Sequence, residues 1–222
     1  DFLKQIYTLY ERKKIVGVLD KNFLNKKSTI LDIACGKGYL IKRFSRNINF
    51  SCFGTDANIN TTKEDNVSFI KAAYNNINVI KKIKPDVIII NNFIEHVENL
   101  MNINKIIRNM KKGTCLIVIT PDGNSLARKK FSCYWSGFHS PRHKIIFNVN
   151  SIKKFFSNYK KIKFKHIKIY DPYTNLLSIS NLVKQVLNKF YFSDIFKILN
   201  FLTHILIDIR LKNRILIIGK KM

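Results

Sequence analysis

The sequence predicts an α/β fold with a doubly wound, mostly parallel sheet, and three observations carry this prediction. Short apolar, β-branched runs alternate along the chain with segments of helical spacing. One run, residues 87–90, is apolar throughout, as expected for a strand that is buried on both faces of a parallel sheet. The first run ends in a turn with two glycines, Gly36 and Gly38, and helical spacing resumes after it, which is typical of the first unit of such a fold.

The elements of the first half follow from their residues. Apolar positions near the start predict an amphipathic helix over residues 6–16, and a second helix follows the glycine turn. Further helices are predicted over residues 74–84 and 98–112, the latter ending with Gly113 as its C-cap. β-Branched runs predict strands over residues 28–34, 50–55, 67–70, 86–90 and 114–120.

The second half of the chain differs in residue composition from the first. Residues 122–143 contain the one Trp and several small polar residues, which indicates a structured loop or lid. A helix over residues 151–158 and a strand over 161–171 follow, and residues 172–212 predict two amphipathic helices inserted before a final strand over 214–219. Nothing between these elements has the composition of a linker, so the 222 residues form one domain.

The composition excludes several classes of protein. A hydrophobic fraction of 46% excludes a disordered chain, and charges interrupt every stretch long enough to span a membrane. The four cysteines, Cys35, Cys52, Cys115 and Cys133, lie far apart and lack the paired spacing that zinc requires, so no metal is expected and the thiols are expected to be reduced. We expect a cytoplasmic protein, because no signal-peptide pattern is present.

The net charge of +26 leaves two explanations open. Such an excess is typical of proteins that bind nucleic acid or an anionic membrane, and Phe and Lys residues between Leu176 and Leu211 favour peripheral contact with a membrane. Alternatively, the abundance of Lys, Ile and Asn reflects the base composition of the genome. The excess is greatest after residue 110, where the acidic residues are Asp122, Asp171, Asp194 and Asp208.

The glycine turn is the first candidate site, because ligands bind at the carboxyl ends of the strands in open α/β sheets. Asp32 adds a carboxylate beside the turn, which suits a ligand ammonium. Asp56 ends the second strand, where an acidic side chain accepts hydrogen bonds from a ribose diol, so a nucleoside-containing ligand is expected. Ile41 stands where the nicotinamide dinucleotide fingerprint needs a third glycine, which disfavours that ligand.

Four segments resemble motifs of the class I S-adenosylmethionine-dependent methyltransferases. They are the first-strand motif DIACGKG at residues 32–38, GTD at 54–56, DVIIINNFIEHV at 86–97 and MKKGTCLIVITP at 110–121. Trp135 and the segment from Pro141 to Phe147 resemble a subgroup that modifies small molecules, saccharides or lipids. The resemblance implies a Rossmann-like sheet of seven strands with an antiparallel last strand. It also implies one methyltransferase domain, with a cofactor-binding half over residues 1–120 and an acceptor or lid half over 121–222.

The resemblance also implies the cofactor and the residues that bind it. S-adenosylmethionine would have its methionine moiety beside the glycine turn, its ribose at Asp56 and its adenine beside residues 73 and 74. Two residues depart from the motif. Ala34 stands where many members have the first glycine, and Ala73 stands where many have an adenine-contacting Asp. The Asn75 amide is the candidate replacement for that Asp. The cofactor-binding residues expected are Asp32, Ala34, Cys35, Gly36, Gly38, Asp56, Ala57, Ala73, Tyr74, Asn91 and Asn92.

Three histidines and their neighbours in the sequence are the candidates for the acceptor site. His96, with Glu95 and His143, is the candidate for removing a proton from a hydroxyl acceptor, because a neutral imidazole serves as a general base near neutral pH. The equally weighted alternative is that Glu95 and His96 cap a helix that begins near Val97. The candidate substrate-binding residues are Trp135, His139, Arg142 and His143, with a brace for the loop as their alternative role.

With these residues, the resemblance implies methylation of a small or lipid- or saccharide-linked acceptor, at a hydroxyl in preference to a carboxyl or amine. Arg142 would suit an acceptor that carries an anionic group. Methylation of RNA or another nucleic acid is the first alternative, although the Asn91-Asn92-Phe93-Ile94 sequence lacks the Pro-Pro pattern of enzymes that methylate base amino groups. A membrane-surface binding module on the same scaffold is the second alternative.

Overall fold

The seven predicted strands and one further strand form a single sheet in the computed structural model. The structure describes residues 13, 15–17, 27–159, 162–170, 175, 178–181 and 212–222. The strands are β1 (Ser28–Ile33), β2 (Phe50–Asp56), β3 (Thr62–Glu64), β4 (Val67–Lys71), β5 (Val87–Asn91), β6 (Cys115–Pro121), β7 (Ile162–Tyr170) and β8 (Lys212–Lys221). Their order across the sheet is β3-β4-β2-β1-β5-β6-β8-β7.

The five central strands, from β4 to β6, are parallel, whereas β3, β8 and β7 pair antiparallel with their neighbours. The chain moves outward from β1 to β2 and β4 and then returns to β5 on the other side of β1. A reversal of this kind opens a crevice at the carboxyl ends of the two strands where it occurs. The sheet therefore provides a ligand site beyond the ends of β1 and β5.

Between residues 27 and 159, five helices and two short 3₁₀ turns connect the strands. The helices are α1 (Tyr39–Phe44), α2 (Ile77–Ile83), α3 (Met101–Asn109), α4 (Leu126–Phe131) and α5 (Val149–Ser157), and the turns cover Ile94–His96 and Ser132–Tyr134. A capping box begins α5, because the Asn148 side chain accepts from the Ser151 amide and the Asn148 amide donates to the Ser151 hydroxyl oxygen.

The core lies on both faces of the sheet, because alternate residues of the apolar central strands point to opposite sides. Leu31, Ile88 and Ile90 pack with α2, α3 and α5 on one face. Ile30 and Ile89 pack with α1 on the other face, where Leu40, Ile41 and Phe44 are buried. The central sheet is therefore rigidly enclosed, and the loops at its edge carry the polar groups.

The predicted fold class is confirmed, with differences at several element ends. The sheet has eight strands rather than seven, because the short, exposed residues Thr62–Glu64 pair with β4 at the edge. The helix predicted over residues 98–112 spans Met101–Asn109, and Met110 rather than Gly113 is its C-cap. Gly113, with φ of 86°, lies in the turn before β6. The helix expected to start near Val97 is also wrong, since Val97 is extended and only a 3₁₀ turn precedes it.

Two predicted helical regions lie largely outside the described residues. Of the amphipathic helix over residues 6–16, the structure describes Lys13, Ile15 and Val16, which are helical. Of the insertion over residues 172–212, it describes Asn175 and Ser178–Asn181 as helical, and Leu182 to Leu211 are outside. Within the described part of the chain, no helix is long and apolar enough to cross a membrane.

Candidate active site

The turn after β1 is shaped by three residues with positive φ. Ala34 and Gly36 have φ of 56° and Gly38 has φ of 72°. A Cβ atom on Gly38 would lie 2.4 Å from the Phe69 ring, whereas a Cβ on Gly36 would meet nothing within 4 Å. Gly38 is therefore needed for packing, and Gly36 leaves open space where a ligand can approach the backbone.

Asp56 joins this turn to the end of β2. Its Oδ2 atom accepts a hydrogen bond from the Gly36 amide at 2.9 Å, and its Oδ1 atom accepts one from the Asn58 amide at 2.9 Å. A carboxylate oxygen has a second lone pair, so both oxygens can still accept from a diol. The neighbouring Asp32 is only 2% exposed and pairs in register with Gly54 on β2. The predicted carboxylates thus lie at adjacent strand ends.

Cys35 lies inside this turn. Its amide donates to the Thr55 carbonyl at 2.9 Å, which ties the end of β1 to β2. Burial raises the pKa of the Cys35 thiol, and the negative charges of Asp32 and Asp56 raise it further. The thiol is therefore neutral and serves as a wall of the turn rather than as a nucleophile.

The predicted adenine edge follows β4. Tyr74 is half-buried against Phe93, with ring centroids 5.0 Å apart, and its hydroxyl accepts a hydrogen bond from Asn102 Nδ2 at 3.0 Å. Ala57 and Ala73 are both exposed and lie just after the ends of β2 and β4, which pair with each other. An aromatic ring fixed in this way provides a flat surface at this edge of the sheet.

The end of β5 lies between the glycine turn after β1 and a cavity on the other side of the site. Asn91 ends the strand, and Asn92 follows it with φ of 51°. The Arg214 guanidinium, at the start of β8, donates through Nη1 to Asn92 Oδ1. Asn92 also lines a cavity of about 630 Å³, together with Glu95, His96, Pro121, Cys133, Trp135, Ser136, Gly137, Phe138, His139, Ser140, His143, Asn181 and Arg214.

Two histidines in this cavity have defined ring orientations. Nδ1 of His96 lies 3.0 Å from the Arg142 carbonyl, and Nδ1 of His143 lies 2.7 Å from the Gly137 carbonyl. Because a carbonyl only accepts, each Nδ1 is the protonated nitrogen and each Nε2 keeps its lone pair in the neutral ring. Burial lowers the pKa of His143 to about 4, so its ring is neutral at physiological pH.

The rings of His96, His139 and His143, which all line the cavity, pack edge to face. The rings of His96 and His143 have centroids 4.7 Å apart, and those of His139 and His143 are 5.1 Å apart. Burial also lowers the pKa of His139, and the charge of Arg142 acts in the same direction. Burial therefore favours the neutral form of His139 and His143 in this cavity.

Glu95 is a buried carboxylate at the base of this cluster. The residue is 1% exposed, and its Oε2 atom accepts from the Thr120 hydroxyl at 3.0 Å. Burial raises the pKa of Glu95, and the positive charge of Arg214 partly opposes this shift. The Glu95 carbonyl accepts from the amides of Lys144 and Ile145, which holds the segment after His143 against the turn.

The three residues predicted as catalytic are thus brought together. Donor atoms of Glu95, His96 and His143 all lie within 4.8 Å of one another, an arrangement that also suits a metal ion. Their alternative role as caps is not what the structure shows, because the 3₁₀ turn of Glu95 and His96 ends five residues before α3 begins.

The predicted substrate-binding residues divide into two groups. Trp135, His139 and His143 line the cavity, and Trp135 is 1% exposed with its ring against Phe138. Arg142 is exposed and does not line the cavity, and its backbone bonds to the loop, since its carbonyl faces His96 Nδ1 and its amide donates to the His139 carbonyl. The arginine that does line the cavity is Arg214, which the sequence analysis missed. Its signal was a cation directly before the apolar run of the last strand, at the position that pairs with Pro121.

Comparison with known proteins agrees with this geometry. The family model described as "Methyltransferase domain" matches residues 7–160. An uncharacterized protein of Methanocaldococcus jannaschii is 28% identical over 145 residues, which are 64% of this chain and 63% of that protein. The chain therefore spans less than two thirds of the length of this relative.

Solved structures share the fold. A SAM-dependent methyltransferase from Archaeoglobus fulgidus aligns with 96% of this chain and 94% of its own, with 17% identity and a TM-score of 0.57. The plantazolicin methyltransferase BpumL, solved with a triazolic desmethylPZN analog and SAH, aligns with 97% of this chain and 84% of its own, with 13% identity and a TM-score of 0.57. With the match of the domain model over most of the chain, these similarities show that the chain belongs to the class I S-adenosylmethionine-dependent methyltransferases.

Proposed function

We propose that the chain methylates a hydroxyl group of a small acceptor bound in the cavity at the ends of β5, β6 and β8. S-adenosylmethionine supplies an electrophilic methyl group, so that the acceptor oxygen loses its proton and gains the methyl carbon while the carbon–sulfur electron pair stays on sulfur. The observation that carries this proposal is the pair of imidazoles, His96 and His143, whose Nδ1 atoms are bound to carbonyls and whose Nε2 atoms remain available to an acceptor.

The residues at the ends of β1, β2 and β4 fit the cofactor. Open space at Gly36 admits a ligand against the backbone, and Asp56 retains lone pairs for a ribose diol. We assign the ammonium to the buried Asp32, the methionine moiety to the turn lined by Ala34, Cys35 and Gly38, and the adenine to the surface of Tyr74 with Ala57 and Ala73. Asn91 and Asn92 are assigned to the side that faces the acceptor.

The cavity suits an acceptor of limited size. Its volume of about 630 Å³ lies within the range typical of small-molecule sites. Trp135 and Phe138 give it an apolar wall, and Arg214 gives it a cation that is only 7% exposed. A buried guanidinium binds carboxylate or phosphate groups strongly, so we favour an acceptor that carries an anionic group, including one attached to a lipid or saccharide.

The histidines remove the acceptor proton in this proposal. His96 is the direct proton acceptor through Nε2, and its orientation is fixed by the Arg142 carbonyl at 3.0 Å. The neutral His143 packs against it and orients the acceptor. The contribution of Glu95 is to hold the turn, through its contact with Thr120, so that both rings face the cavity.

The test uses S-adenosylmethionine labelled in its methyl group and a panel of hydroxy acids, phosphorylated hydroxy compounds, saccharides and hydroxyl-containing lipids. We expect label transfer to an anionic hydroxy compound and a loss of kcat of about a hundredfold or more in His96→Gln, as is usual for a general base. The matched control is His166→Gln, since His166 lies on β7 and does not line the cavity. Equal rates in the two variants would contradict the role of His96.

A nucleic-acid acceptor is the second candidate, favoured by one structural observation. Arg128, Lys129 and Lys130 are exposed together on α4, directly before the 3₁₀ turn that supplies Cys133 to the cavity wall. Label transfer to RNA that falls steeply with added salt would favour this candidate over the small acceptor. The segment that favours a membrane surface, Leu176 to Leu211, lies mostly outside the described residues, so the membrane alternative stays a prediction.

A further inference from the structure

We propose that Glu95, His96 and His143 bind one divalent transition-metal ion at the base of the acceptor cavity. One donor atom from each residue lies within 4.8 Å of the other two, and all three residues line the same cavity. Two imidazoles and one carboxylate with open positions toward a cavity are a ligand set that proteins use for zinc and for other divalent first-row metals. The proposal departs from the expectation of no metal, which rested on cysteine spacing.

The hydrogen bonds around the two histidines support this assignment. A histidine that binds a metal through one ring nitrogen almost always donates its other N–H to a carbonyl or carboxylate. Here Nδ1 of His96 faces the Arg142 carbonyl and Nδ1 of His143 faces the Gly137 carbonyl. Both outer partners of a metal site are therefore already in place, and both Nε2 atoms are left as ligands.

The Glu95 carboxylate supplies an independent observation. Its Oε2 atom is bound by Thr120, whereas its Oε1 atom is buried and has no hydrogen-bond partner among the described residues. A buried carboxylate oxygen without a partner carries a substantial cost in free energy. A cation bound by Oε1 removes that cost, while Thr120 orients the carboxylate from the other side.

The geometry requires only a small adjustment. Two donors on one tetrahedral Zn²⁺ at about 2.1 Å lie roughly 3.4 Å apart, so donor atoms that lie up to 4.8 Å apart need to approach by at most about 1.4 Å. His96 and His143 are both partly exposed, which leaves their side chains room to rotate toward Glu95. The carboxyl group itself is held by the backbone of the 3₁₀ turn and by Thr120.

The consequence for chemistry rests on the proposed function. A hydroxyl bound to a divalent cation loses its proton far more readily than a free one, because the cation stabilises the negative oxygen. The cation would then replace the imidazole of His96 as the group that activates the acceptor, the hydroxyl proton would pass to solvent water, and the oxidation state of the metal would not change. Metal binding itself does not depend on methyl transfer.

The experiment measures Co²⁺ and Zn²⁺ binding to the whole chain after treatment with a chelator. Visible absorption of Co²⁺ reports coordination by the protein, and displacement by Zn²⁺ gives the relative affinity. We expect one ion per chain, with affinity reduced in Glu95→Gln and His143→Gln by at least the tenfold to hundredfold that loss of an outer partner costs. The matched controls are Glu98→Gln and His166→Gln, which lie outside the cluster and should keep wild-type affinity.

Two further measurements keep the result independent of variant folding. In the wild-type chain, Zn²⁺ should shift the ¹⁵N imidazole signals of His96 and His143 and leave that of His166 unchanged. Calorimetry with S-adenosylmethionine tests the proposed function separately, so failure of either proposal can be distinguished from failure of the other. Absence of Co²⁺ binding by the wild-type chain, or equal affinity in all variants, would overturn the metal site.

Discussion

The two halves of the site are built in different ways. At the ends of β1 and β2 the site consists of a backbone turn and two carboxylates that are close in sequence, and the Asp56–Gly36 bond spans 20 residues. In the acceptor cavity, side chains meet across long separations, and the Arg214–Asn92 bond spans 122 residues. The first half depends on backbone conformation, and the second depends on how distant segments pack against one another.

Because the two halves are built differently, they should tolerate different substitutions. In the turn, an added methyl group costs free energy through the positive φ, and at Gly38 it also meets the Phe69 ring. The cavity wall can exchange side chains as long as the sheet ends stay in place, which is how one fold serves many acceptors. Substitutions should therefore separate cofactor binding from acceptor chemistry.

The largest effect is expected for Gly38→Ala. The added Cβ would lie 2.4 Å from the Phe69 ring, at a residue whose φ is 72°. Strain from the positive φ and from overpacking together should reduce the free energy of unfolding by about 3 kcal/mol. Urea denaturation of the two chains measures this difference, and a loss below about 1 kcal/mol would show that the turn is not packed as described.

Gly36→Ala is the matched substitution at the other glycine of the turn. Its φ of 56° is also positive, but its Cβ would meet nothing within 4 Å. We expect a loss of only about 1 kcal/mol in stability. Affinity for S-adenosylmethionine should fall by about tenfold, because the methyl group would occupy open space assigned to the ligand. Calorimetry and urea denaturation together check this, and unchanged affinity would remove Gly36 from the cofactor site.

A smaller effect is expected in the acceptor half for Thr120→Val. This change removes the hydroxyl that donates to Glu95 Oε2 at 3.0 Å and keeps the shape of the side chain. The free energy of unfolding should fall by about 1 kcal/mol, and affinity for S-adenosylmethionine should not change. A double-mutant cycle with Glu95→Gln isolates the contact. Weaker cofactor binding in Thr120→Val would mean that the two halves are coupled.

The smallest effect is expected far from both halves, for Lys221→Met. Lys221 Nζ donates to the Arg108 carbonyl at 2.8 Å and also to the Met110 carbonyl, at the C-terminal end of α3. Loss of a cation there should cost about 0.5 kcal/mol in stability. Thermal unfolding compared with Lys220→Met, whose side chain is exposed, measures the difference. A change in cofactor affinity in either variant would contradict the assignment of the site.

The sequence predicted the glycine turn and the strand ends of the cofactor half because their signals are local. Gly36, Gly38 and Asp56 lie next to strand ends that β-branched runs had already located. The acceptor half was predicted only in part. His96 and His143 were singled out from residue type, but nothing in their spacing shows that they share a cavity with Arg214, because that contact depends on the antiparallel pairing of β6 and β8.

Other misses have the same physical origin. Arg142 was expected in the site as a cation beside two histidines, yet its side chain is exposed and Arg214 takes the place near Asn92. The edge strand β3 has three exposed residues and no apolar pattern, so periodicity could not reveal it. Helix ends were misplaced by a few residues where caps lacked a side-chain signal, as at Leu100 and Met110.

The most direct test of the division between the two halves is calorimetric titration of S-adenosylmethionine into the wild-type chain, Asp56→Ala and His143→Ala. Asp56→Ala removes both oxygens that are assigned to accept from the ribose diol. Binding should therefore weaken by about a hundredfold, equivalent to about 2.7 kcal/mol. The wild-type chain and His143→Ala should bind with equal affinity. Equal binding by all three chains, or loss in His143→Ala alone, would contradict the account.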